Sequence, residues 1–298
     1  MRIIYCDAVF DHKTIEPDYQ AELNAVLNEA FDYSLISFEA LLENDIKGAL
    51  KFVKPSESEE IGIYRGWMLT PKLYADLYHG LLDKGIRLIN TPTSYQHCHY
   101  LPNSYHIIES KTPKSEWTNT LVEASILKMA KSFGTNAIIV KDYVKSEKHH
   151  WNEACFIPDA SDENNVKKIT STFIELRGDS LNEGLVFRKF EELEFLTKHS
   201  KSDMPLTKEF RIFFLNKKVV QVFNYWDEGD YGDLQPNLDE FISIANNVES
   251  NFFTMDIAQK KNGEWIIMEL GDGQVAGLPD NANKNEFYKS LVKILNAS

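Results

Sequence analysis

Residues 252–273 read FFTMDIAQKKNGEWIIMELGDG, and the way this stretch folds decides how the rest of the chain is read. Two β-rich runs, Phe252–Lys260 and Glu264–Leu270, flank Asn262-Gly263. That dipeptide is the strongest short-range sign of a hairpin, because a type I′ turn needs positive φ at both central residues. With Asn262 and Gly263 in those places, the register puts Asp256 directly opposite Glu269. Like charges opposed at Cβ separations of ~4.5–5.5 Å weaken a strand pair unless something neutralises them. A divalent cation would do so; lysines would also serve, and a turn offset by one residue would part the pair. Asp272, just past Glu269, offers a third oxygen. Mg²⁺ commonly takes one or two carboxylates, keeps waters and bridges substrate phosphates.

Three other segments carry charge at the ends of apolar runs. AIIV (137–140) ends in Lys141, with Lys145 close behind in VKDYVKS. An ammonium at a strand exit near a cleft is a natural point charge for phosphate oxygens, although most strand-end lysines are simply solvated. In EGLVFRKFEELEF (183–195), the run Gly184–Phe187 leads into Arg188, Lys189, Phe190 and the acidic pair Glu191-Glu192. Backbone groups there can read an adenine edge and a carboxylate can accept from ribose hydroxyls; an ordinary amphipathic strand entering a charged loop has the same pattern. TKEFRIFFLNKKVVQVF (207–223) holds two β-rich runs around Asn216-Lys217, with Arg211 inside the first. Unpaired buried charge is costly, so Arg211 needs an anion, either Glu209 on the same face or a phosphate.

Upstream, short β-like runs alternate with helical patterns, the arrangement of a parallel sheet with crossover helices. Strands are expected at Arg2–Asp7, Ile61–Tyr64 and Ile86–Asn90. A helix opens at Pro17 with the apolar stripe Tyr19, Leu23, Val26, Leu27, Ala30 and Phe31, and a second spans Pro71–Leu82. Lys51–Glu60 reads as a solvated loop. Pro92, Pro102 and Pro113 mark a domain boundary, which gives an N-terminal α/β domain over 1–110 and a second domain over 111–298, with subdomains of about 111–183 and 184–298. The second domain is expected to run helix (Asn119–Phe133, stopped by Gly134), strand (Ala137–Val140), strand (Ala154–Ile157), helix (Asp162–Leu176). The strands Gly184–Phe190, Lys208–Leu215 and Val219–Tyr225 follow, then the hairpin and a closing helix over Asn285–Leu295. The class is α+β joined to α/β.

Composition narrows function by exclusion. At 298 residues with 43% hydrophobic and 26% charged side chains, the chain is globular and not disordered. A net charge of −13 repels phosphate backbones and anionic lipid, so neither nucleic acid nor membrane is an expected partner. Cys6, Cys98 and Cys155 are too few and scattered for a disulfide framework, and the opening MRIIYCDAVF is too short an apolar run for a signal segment, so a cytoplasmic location is expected. His97-Cys98-His99 lacks the second ligand pair that zinc requires. His149-His150 stands beside Trp151 in a loop after the lysines. Arg65-Gly66-Trp67 is a candidate for a cleft between domains, and DEGDYGD (227–233) for an acidic loop that lacks the calcium pattern.

The order of these motifs resembles the ATP-grasp superfamily: strand lysine, hinge strand with a following Glu, EFR strand, then opposed Asp and Glu. RGWMLTPKLY, LINTPTSYQHCHYLPNSY, VKDYVKS, VFRKFEEL, KEFRIFF and MELGDGQVAGLP together are similar to the clade named for one arginine and two lysines, from about Ile61 to Pro279. The resemblance implies an ATP-grasp-like fold whose two α+β subdomains grip a nucleotide. It implies Lys141 and Lys145 on nucleotide phosphates, Phe187–Phe190 as the adenine hinge including Arg188 and Lys189, and Glu191 or Glu192 on the ribose. Asp256, Glu269 and Asp272 would hold Mg²⁺. Arg211 fits the arginine near the γ-phosphate, with Arg188 its rival.

The chain departs from the family in two places. No glycine occurs between Lys141 and Ala154, where many ATP-grasp enzymes carry a glycine-rich phosphate loop, and Gly271 stands where a metal-binding asparagine is usual. The activity implied is ATP-dependent joining of a carboxylate to an amine, on small molecules or peptides, through an acyl-phosphate. The alternatives are an ATP-responsive binding protein that ligates nothing and a small-molecule kinase.

Overall fold

Arg2–Ala8 (β1) shows no alternation: Ile3, Ile4, Tyr5 and Cys6 are all fully buried, as in a strand covered on both faces. The computed structural model describes residues 1–29, 31–201 and 204–297, so Ala30 of the expected apolar stripe lies outside the described residues. β1 pairs antiparallel with β2 (Asp11–Ile15) and parallel with both β3 (Asp32–Ile36) and β4 (Glu60–Arg65); β5 (Ile86–Leu88) joins β4. Ile3 and Tyr5 pack with Leu23 and Val26 of α1 (Gln20–Asn28). Ile4 and Cys6 pack on the other face with α2 (Phe38–Leu42), α3 (Ile46–Ala49) and α4 (Pro71–Leu82). α4 starts where expected because Thr70 Oγ1 accepts the Leu73 amide at 3.3 Å and Pro71 fixes φ in the first turn. Pro92 and Pro102 open α5 (Pro92–His99) and α6 (Leu101–Ile108), where a missing N–H costs nothing.

Strands β6 (Ser115–Thr118), β7 (Ile138–Asp142), β8 (Phe156–Ile157) and β9 (Leu185–Lys189) form a second sheet in the order β6-β9-β7-β8, antiparallel throughout. Helices α7 (Glu123–Lys131) and α8 (Glu163–Arg177) share a core with it. β9 is bonded along both edges, so the expected break near residue 184 falls inside this unit: chain order separates β9 from its partners, and hydrogen bonding does not. Of the expected strand Ala154–Ile157 only Phe156–Ile157 pairs, after a π-helical turn over Trp151–Cys155.

A small hairpin, β10 (Phe195–Lys198) with β11 (Pro205–Thr207), precedes the third sheet. That sheet contains β12 (Glu209–Leu215), β13 (Lys218–Asn224), β14 (Phe252–Gln259) and β15 (Trp265–Asp272) in the order β13-β12-β14-β15. One face, with Phe210, Ile212, Phe214, Phe253 and Met255, packs with Phe241 and Ala245 of α9 (Asp239–Ala245). On the other, Phe213, Leu215, Phe223 and Phe252 meet Phe287 and Leu291 of α10 (Lys284–Asn296) in one core with Ile3 and Tyr5. The last helix therefore packs against the first unit. Two fully buried polar side chains fasten the same seam. Arg65 donates to Glu22 at 2.8 and 2.9 Å and to the carbonyls of Gly273 and Ala276 at 2.6 and 2.8 Å. Asn90 donates to Phe252 O and Asp272 Oδ2 and accepts from the amides of Asn251 and Phe252. Among the described residues, no helix is long and apolar enough to cross a membrane.

The expected register between Asp256 and Glu269 is present, but a two-residue turn does not produce it. Gln259 pairs with Trp265, and the Gly263 amide donates to Lys260 O at 2.8 Å, so Lys261–Gly263 form a three-residue loop with only Gly263 at positive φ (87°). That loop alone would set Asp256 against Met268. A bulge beyond Ile267 absorbs one residue and restores Asp256 to Glu269. The bulge is held from outside the hairpin: Ile267 N donates to Lys111 O at 2.7 Å, and Ile267 O accepts from Thr112 Oγ1 at 2.7 Å and Arg188 Nη2 at 3.1 Å. The type I′ geometry occurs instead at Asn216-Lys217, whose φ values are 46° and 65°.

Candidate active site

Arg211, Asp256 and Glu269 stand in one row across β12, β14 and β15, each directly opposite the next. They continue the face that carries Phe213, Leu215 and Phe252, so one side of the sheet is apolar core at one end and charged at the other. Arg211 grips Asp256 with two bonds, Nε to Oδ1 at 2.8 Å and Nη2 to Oδ2 at 2.7 Å, while its guanidinium lies 4.9 Å from the Tyr225 ring centroid. Burial works against that cation and Asp256 outweighs it, holding the guanidinium protonated. Glu269 has no arginine of its own. Lys141 Nζ approaches it at 3.5 Å, and its side chain stays 45% exposed. Burial opposes its ionisation, but Lys141 first and then Arg211, Arg188 and Lys145 hold the carboxyl below its ordinary value. For Asp256 burial prevails and pushes the carboxyl up against the pull of Arg211.

The lysines come from the facing sheet. β7 delivers Lys141 at its end, and the turn that follows carries Lys145, whose ammonium burial and then neighbouring Lys141 push down. Lys141, Lys145, Arg211, Asp256 and Glu269 line one cavity of about 270 Å³, together with Met68 and His99 from the first unit and Ala276 and Gly277 beyond β15. Three converging cations in a molecule of net charge −13 make a local site for an anion. His99 is 8% exposed and stacks on Tyr95 at 5.0 Å; burial, with Lys145 next, lowers its imidazole to about 4, so it faces the cavity uncharged at neutral pH.

Other expected site residues lie elsewhere. Asp272 borders the cavity, but strand alternation turns its carboxylate to the opposite face from Glu269. There it accepts from Asn90 Nδ2 at 2.6 Å, Gln274 N at 2.9 Å and Gln274 Nε2 at 3.2 Å, and burial raises it to about 7. It is placed as an anchor and not as a third metal ligand. Phe187 is fully buried between β6 and β7, and Arg188 holds the bulge through Nη2, on Thr112 Oγ1 at 2.7 Å and Ile267 O, while its buried Nε meets no acceptor among the described residues and burial lowers the guanidinium to about 10. Phe190 packs against Trp151 and Phe156; Lys189 pairs with Glu191 at 2.9 Å, Glu191 with Lys260 at 3.3 Å, and Glu192 with Lys261 at 3.3 Å. None of residues 187–192 lines the cavity. Arg65 is a seam residue, wholly enclosed, and not a cleft ligand. At Gly271 a Cβ would come within 2.7 Å of Thr254 Oγ1, so a side chain there requires Thr254 to turn away. Sequence reading missed His99 and Met68, which join the cavity from the first unit, and Tyr225, which follows β13 beside Arg211.

A model of the ATP-grasp domain, R2K clade family 3, matches residues 132–291, from the approach to β7 through most of α10 and over half of the chain. The chain belongs to that family. The match covers every charged residue of the cavity, and His99 and Met68 lie before it. No curated protein matches the chain in sequence. Among solved structures of similar fold, the ATP-grasp RimK domain protein from Sphaerobacter thermophilus aligns with a TM-score of 0.60 at 10% identity, over 99% of this chain and 100% of that one. D-cycloserine synthetase DcsG aligns with a TM-score of 0.60 at 11% identity, over 99% and 100%. The ATP-grasp ligase PsnB, complexed with minimal precursor, Mg and ADP, aligns at 0.57 and 10%, over 98% and 97%. At such identities the shared property is the fold, and in this R2K-clade chain it extends to the N-terminal unit as well.

Proposed function

We propose that this chain is an ATP-dependent carboxylate–amine ligase that forms an amide bond through an acyl-phosphate. The observation that carries the reading is the row Arg211, Asp256, Glu269 facing Lys141 and Lys145 across one cavity. Two adjacent carboxylates suit magnesium carried in with a nucleotide better than a resident metal, and among the described residues no group of three or more His, Cys, Asp or Glu side chains could hold an ion by itself. Asp256 and Glu269 would hold the ion, which when bound would withdraw charge from phosphate oxygens. PsnB, with Mg and ADP, supports the same ligands here.

Lys141 and Lys145 donate to phosphate oxygens from one wall. A guanidinium carries five N–H groups; Arg211 spends one each through Nε and Nη2 on Asp256 and one through Nη1 on Gly277 O at 3.3 Å, which leaves two for an incoming oxyanion. A substrate carboxylate attacks the γ-phosphorus, ADP leaves, and the amine then displaces phosphate from the acyl carbon and loses a proton. Phosphoryl transfer asks a protein mainly for positioning and charge stabilisation, which these cations supply. The backbone of residues 187–190 and the Glu191 or Glu192 carboxylate are assigned to the adenosine. Carboxylate and amine are small molecules or peptide groups; among proteins of this fold DcsG is a D-cycloserine synthetase and PsnB is complexed with a minimal precursor. Cys6, Cys98 and Cys155 are free and buried, in keeping with a reducing cytoplasm.

The test is ADP release from pooled metabolites and peptides, with the wild type, Lys141→Ala and Glu269→Ala. Release that needs both a carboxylate and an amine, and that both substitutions abolish, is the expected result. Transfer to an alcohol without free phosphate would make the protein a kinase, and nucleotide binding without turnover a binding protein.

A further inference from the structure

The segment after Lys141 holds no glycine-rich turn, yet Lys145 is held at the cavity, and its turn is fixed by a carboxylate that does not line the cavity. Asp142 is fully buried at the end of β7. Its Oδ1 accepts the amides of Val144 at 2.7 Å and Lys145 at 2.5 Å, and its own amide donates to Lys145 O at 2.9 Å, which closes the turn from both sides. Its Oδ2 accepts Arg177 Nε at 3.1 Å, Asn182 N at 3.1 Å and Asn182 Nδ2 at 3.0 Å. Arg177, the last residue of α8, places Nη2 on Ser180 O at 2.7 Å and reaches with Nη1 to Glu147 Oε1 at 3.2 Å, so one guanidinium ties the residues on both sides of Lys145. Asp142 and Arg177 do not line the cavity, and Lys145 does.

Resting on the nucleotide site proposed above, we propose that Asp142 and Arg177 are positioning residues: they form a bracket that presets Lys145 as a phosphate ligand and replaces the backbone freedom of a glycine turn with a side-chain lock. Five donors on one carboxylate leave the turn a single low-energy arrangement, because releasing any of them strands a buried polar group. The lysine then loses little conformational freedom when an anion arrives, which is the advantage of a preorganised contact. The bracket acts on affinity through Lys145 and touches no phosphate itself.

The test is a double-mutant cycle read by calorimetric titration with the magnesium complex of AMP-PNP, using the full chain. Asp142→Asn and Lys145→Ala are each expected to weaken binding by roughly 10- to 100-fold, the range seen when outer partners of a binding group are removed. The combined variant is expected to bind no worse than about threefold below the weaker single variant, because both changes remove one contact. Glu269→Ala combined with Asp142→Asn is expected to multiply. Arg177→Met, at a partly exposed helix end, repeats the cycle should Asp142→Asn fail to fold, and thermal melting of each variant without nucleotide separates a lost contact from a lost fold. Multiplying effects of Asp142→Asn or Arg177→Met with Lys145→Ala, or unchanged affinity in a folded single variant, would overturn the bracket while leaving the ligase reading intact. Absence of AMP-PNP binding by the wild type would overturn both.

Discussion

Arg65 and Arg211 each grip a buried carboxylate with two N–H groups, Glu22 at 2.8 and 2.9 Å and Asp256 at 2.7 and 2.8 Å. Their surroundings differ. The Arg65 side chain is 0% exposed and its Nη1 meets carbonyls of Gly273 and Ala276, while Glu22 also accepts the Tyr288 hydroxyl at 2.6 Å. The Arg211 side chain is 20% exposed, faces a cavity, and shares its row with a second carboxylate that no arginine covers. The same bond thus closes a network in one place and leaves one open in the other. A completed network fastens domains; an incomplete one keeps donors and lone pairs for a ligand.

The largest expected effect tests the closed pair. Arg65→Met leaves the buried Glu22 carboxylate without its cation, with only the Tyr288 hydroxyl on it, and should cost about 3–5 kcal/mol of stability in urea unfolding; a loss under ~1 kcal/mol would erase the contrast. At the open pair the effect should move from stability to rate. Glu269→Gln should lower ADP formation by about 10²- to 10³-fold, comparable to losing one well-placed charge-stabilising group, with unfolding changed by less than ~1 kcal/mol because that side chain is 45% exposed. Unfolding that falls together with the rate would make Glu269 a structural residue.

His99 sharpens the comparison through pH. Its imidazole is held at about 4 against an ordinary 6.5, so the folded state prefers the neutral ring. The stability this lends is complete above about 6.5 and is lost as pH falls through 4. His99→Gln should remove that acid-side loss, worth about 2–3 kcal/mol by pH 4.5 at 1.36 kcal/mol per unit. Melting curves that fall equally steeply for both proteins between pH 6.5 and 4.5 would refute it. The smallest effect belongs to Arg87 and Glu59, 2.9 Å apart with side chains 48% and 60% exposed. Arg87→Met should cost about 0–1 kcal/mol, because solvent screens what the same bond supplies indoors.

Local chemistry was legible. The Thr70-Pro71 start of α4, the Asp162 cap of α8, whose side chain accepts from Asn164 and Asn165, and the apolar runs of β1, β12 and β14 are short-range features that a sequence spells out. So were the residue types of the charged row and the hairpin that carries two of them, although the pairing of Asp256 with Glu269 needs a bulge that the turn does not supply. Sequence reading went wrong where the answer depended on remote partners. Prolines that looked like punctuation opened α5 and α6, β9 joined strands that precede it by several elements, Asp272 turned both carboxylate oxygens to Asn90 and Gln274, and Arg188 gave Nη2 to Thr112 and Ile267.

Sequence by itself determined which residues alternate, which turn and which carry charge, because those depend on neighbours a few positions away. Tertiary structure decided which carboxylate stays free. The hairpin loop alone would have set Asp256 against Met268, and the bulge that returns it to Glu269 is held by Lys111, Thr112 and Arg188, residues distant in the chain. Hydrogen-bond capacity is finite, so a side chain's availability for chemistry depends on every group packed around it.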